Sequence, residues 1–481
     1  NEEKMNEKRI DDLKTIVTFD LFSNICDSLY QHHRLMFAFI VACKIMINEQ
    51  NLSIDHYTIF LKGVDIVDSP FENPVPDQLS NEKWNELHSI TKYVPSLKSL
   101  PGKIISDVET FRSFVASEAY DLPPQFFNNL GDFELMLVIK IVKPNQIPHF
   151  VQDFIIKNLG PEYIRTTYFS LDNVLELTKP STPLMFLLNE HDDSRNYIEQ
   201  LAEKNQMKSK LISFSFGNGS HVDIETLIQG AASRGEWVFI QNIHLSSKMS
   251  NELDVIVSKI SKKSSNPDFR LFMTTALTEN IPISLIRKSV KKSLGQPISI
   301  KGSMLSLLSS IDNNIFGQSN LTYLIYQITF LHSLLNVRAK YGSYGFHQHF
   351  YFSNAAYKTG LEILEGKIDP TKLDLKTIRW SIMNIIYNGG VIDLWDKRCF
   401  ESFIQLIINE EYLNSSVPIC SLDLYKMPKD DSKESFVDAI HQFPDQDVPM
   451  IFGLSQSCDV LLSNKESMNF IGLINEITIT E

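Results

Sequence analysis

The stretch EWVFIQNIHL, residues 236–245, decides how this chain is read. Four apolar residues, Trp237 to Ile240, run without interruption into Gln241 and Asn242. A continuous apolar run of strand length, bounded by polar residues, suits a strand buried on both faces of a parallel sheet. Parallel sheets of this kind bind ligands at the carboxyl ends of their strands. Positions 241 and 242 are therefore where chemistry would be placed. In a nucleotide-hydrolysing sheet that strand ends in carboxylates, which anchor magnesium and activate water. Here it ends in two amides.

Similar runs lie on either side. PLMFLL (183–188), LISFSF (211–216) and RLFMTTA (270–276) have strand length, and helix-length amphipathic segments separate them. Within the second spacer Ile224, Leu227, Ile228 and Ala231 recur at helical spacing. Ser220 with Asp223 predicts a capping box, and Gly235 a helix stop. Alternation of strand and helix implies a parallel sheet with helices on both faces. A P-loop-like α/β unit is thus predicted over 175–300.

The flanks read as helical. Leu13, Ile16, Val17, Phe22 and Ile25 form an approximate helical stripe, and the apolar run 35–47 follows. Pro70, Pro74 and Pro76 mark a loop or boundary. Residues 105–160 are predicted helical, with breaks at Pro123–Pro124 and Pro144. From 303 helices return: Leu324, Ile328, Leu331 and Leu335 make a stripe, with Gly342 as its stop. The fold class is mixed α and α/β: a helical N-terminal region, the α/β unit, then a helical lid. The closing NEITITE reads as strand-like. That ending, and a first residue other than Met, suggest a piece of something longer.

Composition bounds the function. The 481 residues are 43% hydrophobic and 21% charged, which suits a core-building protein of several domains. A net charge of −13 gives no electrostatic reason to expect nucleic acid or an anionic membrane as partner. Lys262–Lys263 and Lys291–Lys292 read as solvated helix faces. Five cysteines (Cys26, Cys43, Cys399, Cys420, Cys458), with no CxxC pair, favour a reducing compartment and no zinc site. Sequons at Asn51, Asn218, Asn320 and Asn414 read as chance. The charged N-terminus carries no signal peptide, and the run 35–47, interrupted by Lys44, is too short to span a bilayer.

The phosphate machinery can be tested residue by residue. A P-loop needs glycines for its backbone cradle, a lysine for the phosphates and a hydroxyl for magnesium. After the first strand the chain reads NEHDDSRNYIEQ (189–200), with no Gly and no Lys, and with Glu190, Asp192 and Asp193 where phosphates would lie. GLEILEGKI (360–368) has one spacer residue too many and Ile368 in place of the hydroxyl. At the third strand, Gln241 and Asn242 occupy the acidic positions and cannot act as a strong magnesium anchor or a general base. Their plainer role is to satisfy backbone groups at a strand end. FGNGS (216–220) is better read as a turn than as a dinucleotide fingerprint, and GLSQS (453–457) misses the nucleophile elbow at Ser457. His347 and His349 read as a loop or core pair and His32–His33 as helix surface. No catalytic, cofactor-binding or metal residue is predicted.

Several stretches together resemble one family, the dynein heavy chains. EWVFIQNIHL resembles a strand of the family's sixth AAA+ module. STPLMFLL (181–188) resembles the strand that opens that module, and NPDFRLFMTT (266–275) a later one. VRAKYGSYGF (337–346), YNGGVIDLWDKR (387–398) and FPDQDVPMIFGLSQSCDV (443–460) resemble its lid. RIDDLKTIVTFDLFSNICDSLYQHHRLMF (9–37) resembles helices that follow the fifth module. Gly390, Leu394, Glu190 and Ala339 depart from the family's pattern, while Trp395, Asp396 and Arg398 keep it and are expected to tie the lid together.

The resemblance implies residues 1–165 as the helical region following the fifth module and 175–300 as a degenerate P-loop domain. It implies 305–465 as a helical lid and 466–481 as a truncated tail. Gln241 and Asn242 become degenerate Walker B positions and Thr274 a degenerate sensor position. The implied role is part of the ring of a minus-end-directed microtubule motor that transmits conformational change. No cofactor is implied in this stretch, ATP and magnesium belonging to other modules. The implied partners are neighbouring modules of the same heavy chain, dynein intermediate, light intermediate and light chains, and microtubules through a stalk. The implied setting is cytoplasmic and cytoskeletal, with a ciliary axoneme favoured. The rival readings are a divergent AAA+ hydrolase with a non-standard pocket and a non-motor helical scaffold.

Overall fold

A computed structural model describes residues 2–117, 120–164, 174–188, 194–216, 223–260, 266–276, 278, 280–293, 299–309, 311, 316–317, 320–348, 350–367, 374–387, 391–413, 418–419, 423–444 and 446–480. The chain divides into two compact units: residues 1–165 with 456–481, and residues 166–455. The fold is mixed α and α/β.

The first unit is a bundle of helices. Phe39, on the helix Gln31–Asn48, is its aromatic centre. The rings of Phe60, Phe133, Phe154 and Phe470 lie 5.0 to 6.3 Å from it. The helices break at the predicted prolines, and a proline starts each segment that follows. Pro124 opens the turn Pro124–Phe127 and Pro144 the turn Pro144–Gln146, where a missing N–H costs nothing. Of the stripe predicted on the helix Glu2–Cys26, only Phe22 is buried; Leu13, Ile16, Val17 and Ile25 face outward.

NEITITE is not a strand. It ends the helix Ser457–Thr480. Ser467, Phe470 and Ile474 recur at helical spacing and are buried, and this longer period overrides the short Ile/Thr alternation. Ser463 and Ser467, one turn apart, both donate to the carbonyl of Asn145, at 2.9 and 2.8 Å.

The second unit contains a five-stranded, wholly parallel sheet. Its strands are β1 Leu184–Leu187, β2 Leu211–Ser215, β3 Trp237–Gln241, β4 Arg270–Thr275 and β5 Val290–Ser293, in spatial order β2-β3-β4-β1-β5. Register aligns Phe239 with Phe272, Phe272 with Leu184 and Leu184 with Val290. Leu184, Phe186, Trp237, Phe239 and Phe272 pack on Ile198, Leu201 and Ala202 of the helix Ser194–Lys204. The alternate residues Met185, Val238, Ile240 and Met273 are buried too, so β1, β3 and β4 are covered on both faces.

Local capping differs from the sequence expectation at one place. Asp223, not Ser220, caps the helix Ile224–Arg234, its carboxylate accepting from Thr226 N at 3.3 Å. Ser220 lies outside the described residues. Gly235 ends that helix in the left-handed conformation at φ 72°, which a Cβ would strain. β5 also differs. Lys291 and Lys292 belong to a strand, and Lys292 is buried. Lys291 Nζ donates to the carbonyls of Ile286 and Ser289 at 3.2 and 3.3 Å. Lys262 and Lys263 lie outside the described residues.

The lid is organised around the helix Asn320–Ala339. The predicted stripe is real but too narrow, for nearly every side chain from Leu321 to Leu335 is buried. Two of its buried polar residues, Gln327 and His332, bond to distant partners. Gln327 and Asn409 exchange two hydrogen bonds, at 3.3 and 3.2 Å. His332 pairs Nδ1 with Tyr387 Oη at 2.8 Å and Nε2 with Asn354 Oδ1 at 3.2 Å. Nε2 also lies 3.0 Å from Asn336 Nδ2, so an amide oxygen and an amide nitrogen face the same ring nitrogen.

Burial lowers His332 to about 4. In the unfolded chain it titrates near 6.5. Below that value the unfolded state binds the extra proton first. Stability is therefore complete above pH 6.5 and falls as pH drops towards 4, by up to about 3 kcal/mol. His332→Gln should flatten that slope in urea denaturation series between pH 4 and 7. A slope unchanged by the substitution would contradict the assignment.

Candidate functional site

The carboxyl edge of the sheet brings the predicted positions together. Gln241 ends β3 and is half-buried. Asn242 follows in the left-handed conformation, φ 56° and ψ 48°, a geometry asparagine tolerates better than most residues. Its backbone N–H donates to Thr274 Oγ1 at 2.9 Å. Thr274 is buried on β4, paired on its other side with Phe186 of β1. The Thr274 hydroxyl is thus engaged with a backbone N–H of the neighbouring strand end.

A second clamp lies just beyond. His244 Nδ1 accepts from Ala276 N at 3.1 Å. Burial lowers the pKa of His244, which keeps Nδ1 free to accept. Ser250 Oγ, on the helix Ser247–Ile260, donates to Ile243 O at 2.6 Å. On the other side of β4, Leu188 N donates to Thr275 O at 2.8 Å. The ends of β1, β3 and β4 are therefore stitched together by backbone and side-chain hydrogen bonds. The sequence singled out Gln241, Asn242 and Thr274 but not His244, whose signal was only its position three residues past the strand.

Residues 189–193, with Glu190, Asp192 and Asp193, lie outside the described residues, as do 217–220, His349, Gly390, Asn218, Asn414 and Cys420. Among the described residues, no group of His, Cys, Asp and Glu could hold a metal ion, and no helix is long and apolar enough to cross a membrane. Cys26, Cys43, Cys399 and Cys458 are free thiols. The stretch 360–367 belongs to the helix Asn354–Lys367.

The lid motifs separate into two kinds. Asp396 is buried, and its carboxylate accepts from His347 N at 2.9 Å and Gln348 N at 3.1 Å. It ties the 347–348 loop to the helix Leu394–Ile407. Trp395 and Arg398 do not tie the lid internally, contrary to expectation, because their positions on that helix face outward. Arg338, not singled out from the sequence, does tie it. Its Nε donates to Gly345 O at 2.8 Å and its Nη1 to Phe452 O, between the rings of Phe346 and Phe403. Between the α/β part and the lid, Lys358 Nζ donates to Asn196 Oδ1 at 2.8 Å.

Comparison with known proteins matches residues 179–293 to the dynein heavy chain region D6 P-loop domain. Residues 321–458 match the dynein heavy chain AAA lid domain. Dynein axonemal heavy chain 1 of Homo sapiens is 26% identical over 480 residues, covering 98% of this chain and 11% of that protein. Dynein axonemal heavy chain 2 of Homo sapiens is 27% identical over 465 residues, 94% of this chain and 10% of that protein. The dynein-1-alpha heavy chain of the flagellar inner arm I1 complex of Chlamydomonas reinhardtii is 24% identical over 482 residues, again 94% and 10%. The chain spans about a tenth of the length of the curated relatives it matches.

Proposed function

The chain belongs to the dynein heavy chains, carrying their D6 P-loop domain and AAA lid, and from this premise we propose that it serves the motor as a mechanical module rather than a hydrolytic one. The observation that carries the proposal is the end of β3. Amides stand at Gln241 and Asn242, and the Thr274 hydroxyl is engaged with Asn242 N. A catalytic sheet needs a carboxylate there and a sensor side chain available to the γ-phosphate. The Gly-less, Lys-less sequence 189–200 agrees. The clamped strand ends and the Lys358–Asn196 contact suit a body that moves as one piece. On this reading the module passes rigid-body motion around the ring, coupling ATP turnover elsewhere to stalk and linker movement.

The rest of the proposal follows the family. Residues 1–165 would extend the fifth module, 175–300 form the degenerate sixth α/β domain and 305–465 its lid. No nucleotide or magnesium would bind here, both being used at other modules of the parent chain. The partners would be neighbouring modules, intermediate, light intermediate and light chains, and microtubules at one remove, in a minus-end-directed motor. Relatives named as axonemal favour a cytoskeletal, ciliary setting.

Titration of the 481-residue chain with a fluorescent ATP analogue tests the central claim, with circular dichroism as the check on folding. No saturable, magnesium-dependent binding is expected in the micromolar range. Gln241→Glu should restore neither binding nor phosphate release, because one carboxylate supplies neither cradle nor lysine. Micromolar binding by the native chain, or turnover by the variant, would overturn the mechanical reading.

A further inference from the structure

Residues 64–73 of the first unit belong to no helix or strand. Side chains of the helix Asn81–Ile90 pin their backbone. Val67 N donates to Ser89 Oγ at 2.9 Å and Ser69 N to Asn85 Oδ1 at 3.0 Å. Trp84 Nε1 donates to Phe71 O at 2.9 Å. Ser89 and Trp84 are buried, so the support is firm. Alternate residues 67, 69 and 71 thus turn backbone groups towards the helix. In an extended chain the residues between them turn theirs the other way. The N–H and carbonyl groups of Ile66 and Asp68 accordingly take no partner among the described residues. They form a short free strand edge, which is a template for pairing with another chain.

The side chains along this edge say what would pair with it. Ile66 is 56% exposed, Val67 47% and Phe71 46%. Asp65, Asp68 and Glu72 are exposed, and residues 64–80 hold no lysine or arginine. Asp68 is held in place, its Oδ1 accepting from Asn85 Nδ2 at 3.0 Å. The edge therefore reads acidic, apolar, apolar, acidic over Asp65–Asp68. Cross-strand neighbours attract when their charges are opposite and repel when they are alike. Two copies of this edge would set aspartate against aspartate. A strand reading basic, apolar, apolar, basic complements it in either direction.

We infer that this edge takes up an extended segment of a separate polypeptide, in which two lysines or arginines flank a pair of β-branched residues. Its backbone adds a strand along Ile66 and Asp68. Its basic side chains meet Asp65 and Asp68, and its apolar pair covers Ile66 and Val67. The inference stands whether or not the sheet of the second unit binds nucleotide.

Hydrogen exchange of the full-length heavy chain tests it, with and without a synthetic peptide centred on lysine–valine–valine–lysine. Without peptide, the amides of Ile66 and Asp68 should exchange rapidly. The peptide should slow them about tenfold or more, while Val67 and Ser69, already bonded to the helix, change less. Replacing both lysines by glutamate, or N-methylating the peptide backbone, should abolish the protection. Ile66→Pro removes a free donor and should weaken binding about tenfold, whereas Ile66→Val should leave it unchanged. Slow exchange at Ile66 and Asp68 before peptide is added would mean that the heavy chain itself, or a second copy, already covers the edge, and would overturn the inference. No protection by the peptide, or equal protection by its glutamate form, would do the same.

Discussion

Replacing Arg338 by methionine is expected to destabilise the lid by about 3–5 kcal/mol. Methionine keeps most of the apolar stem between Phe346 and Phe403. It removes the donors to Gly345 O and Phe452 O. Each buried carbonyl left without a partner costs roughly 1–3 kcal/mol, and the charge-assisted bonds lost are the stronger kind. The site has no slack to compensate: a Cβ at Gly345 would lie 2.0 Å from Arg338 O, so the backbone turns there at contact distance. Urea denaturation of the 481-residue chain measures the loss, and Arg338→Lys should fall between the two, since an ammonium cannot span both carbonyls as a guanidinium does. A methionine variant within about 1 kcal/mol of the native chain would mean that the two carbonyls find other donors.

Phe39→Ala should cost about as much, 3–5 kcal/mol, in the other unit. Phe39 is fully buried and ringed by four aromatic partners. Truncation removes its transfer energy and leaves a cavity that four stiff rings close poorly. One of those rings, Phe470, belongs to the helix Ser457–Thr480. Amides of that helix should therefore exchange faster in the variant, while those of β3 and β4 keep their protection. Denaturation and native-state hydrogen exchange check the two halves. Uniform acceleration across both units would show that they unfold together.

Legibility in the sequence followed the range of the interactions. Strands β1, β3 and β4 could be read because burial on both faces writes itself as a continuous apolar run, and β2, half-buried at the sheet edge, keeps Leu211, Ile212 and Phe214. β5, VKKS, could not, because Lys291 is satisfied by the carbonyls of Ile286 and Ser289, contacts that no local pattern announces. The central lid helix was read as a stripe because Gln327, Thr329, His332 and Ser333 look solvated. Gln327 and His332 are accommodated by partners such as Asn409, Tyr387 and Asn354, twenty-two to eighty-two positions away. At the sheet edge, Gln241, Asn242 and Thr274 were legible as positions, and the structure brings Asn242 and Thr274 into contact. The His244–Ala276 clamp was not, since it depends on β3 and β4 being neighbours.

The helix Ser457–Thr480 completes a core begun by residues more than four hundred positions earlier. Between those two contributions the chain must make the whole of residues 166–455. During synthesis, Phe39 and its neighbours therefore emerge long before Phe470 and Ile474. At ribosomal rates of about 5–20 residues per second, the stretch from Phe39 to Phe470 takes roughly 20–90 s. Through that interval Phe39 lacks the Phe470 ring that lies 6.2 Å from it in the folded bundle. The later unit can meanwhile fold from its own contiguous sequence. A polypeptide interrupted before the closing helix lacks Phe470 and Ile474, and the core of the first unit is then incomplete.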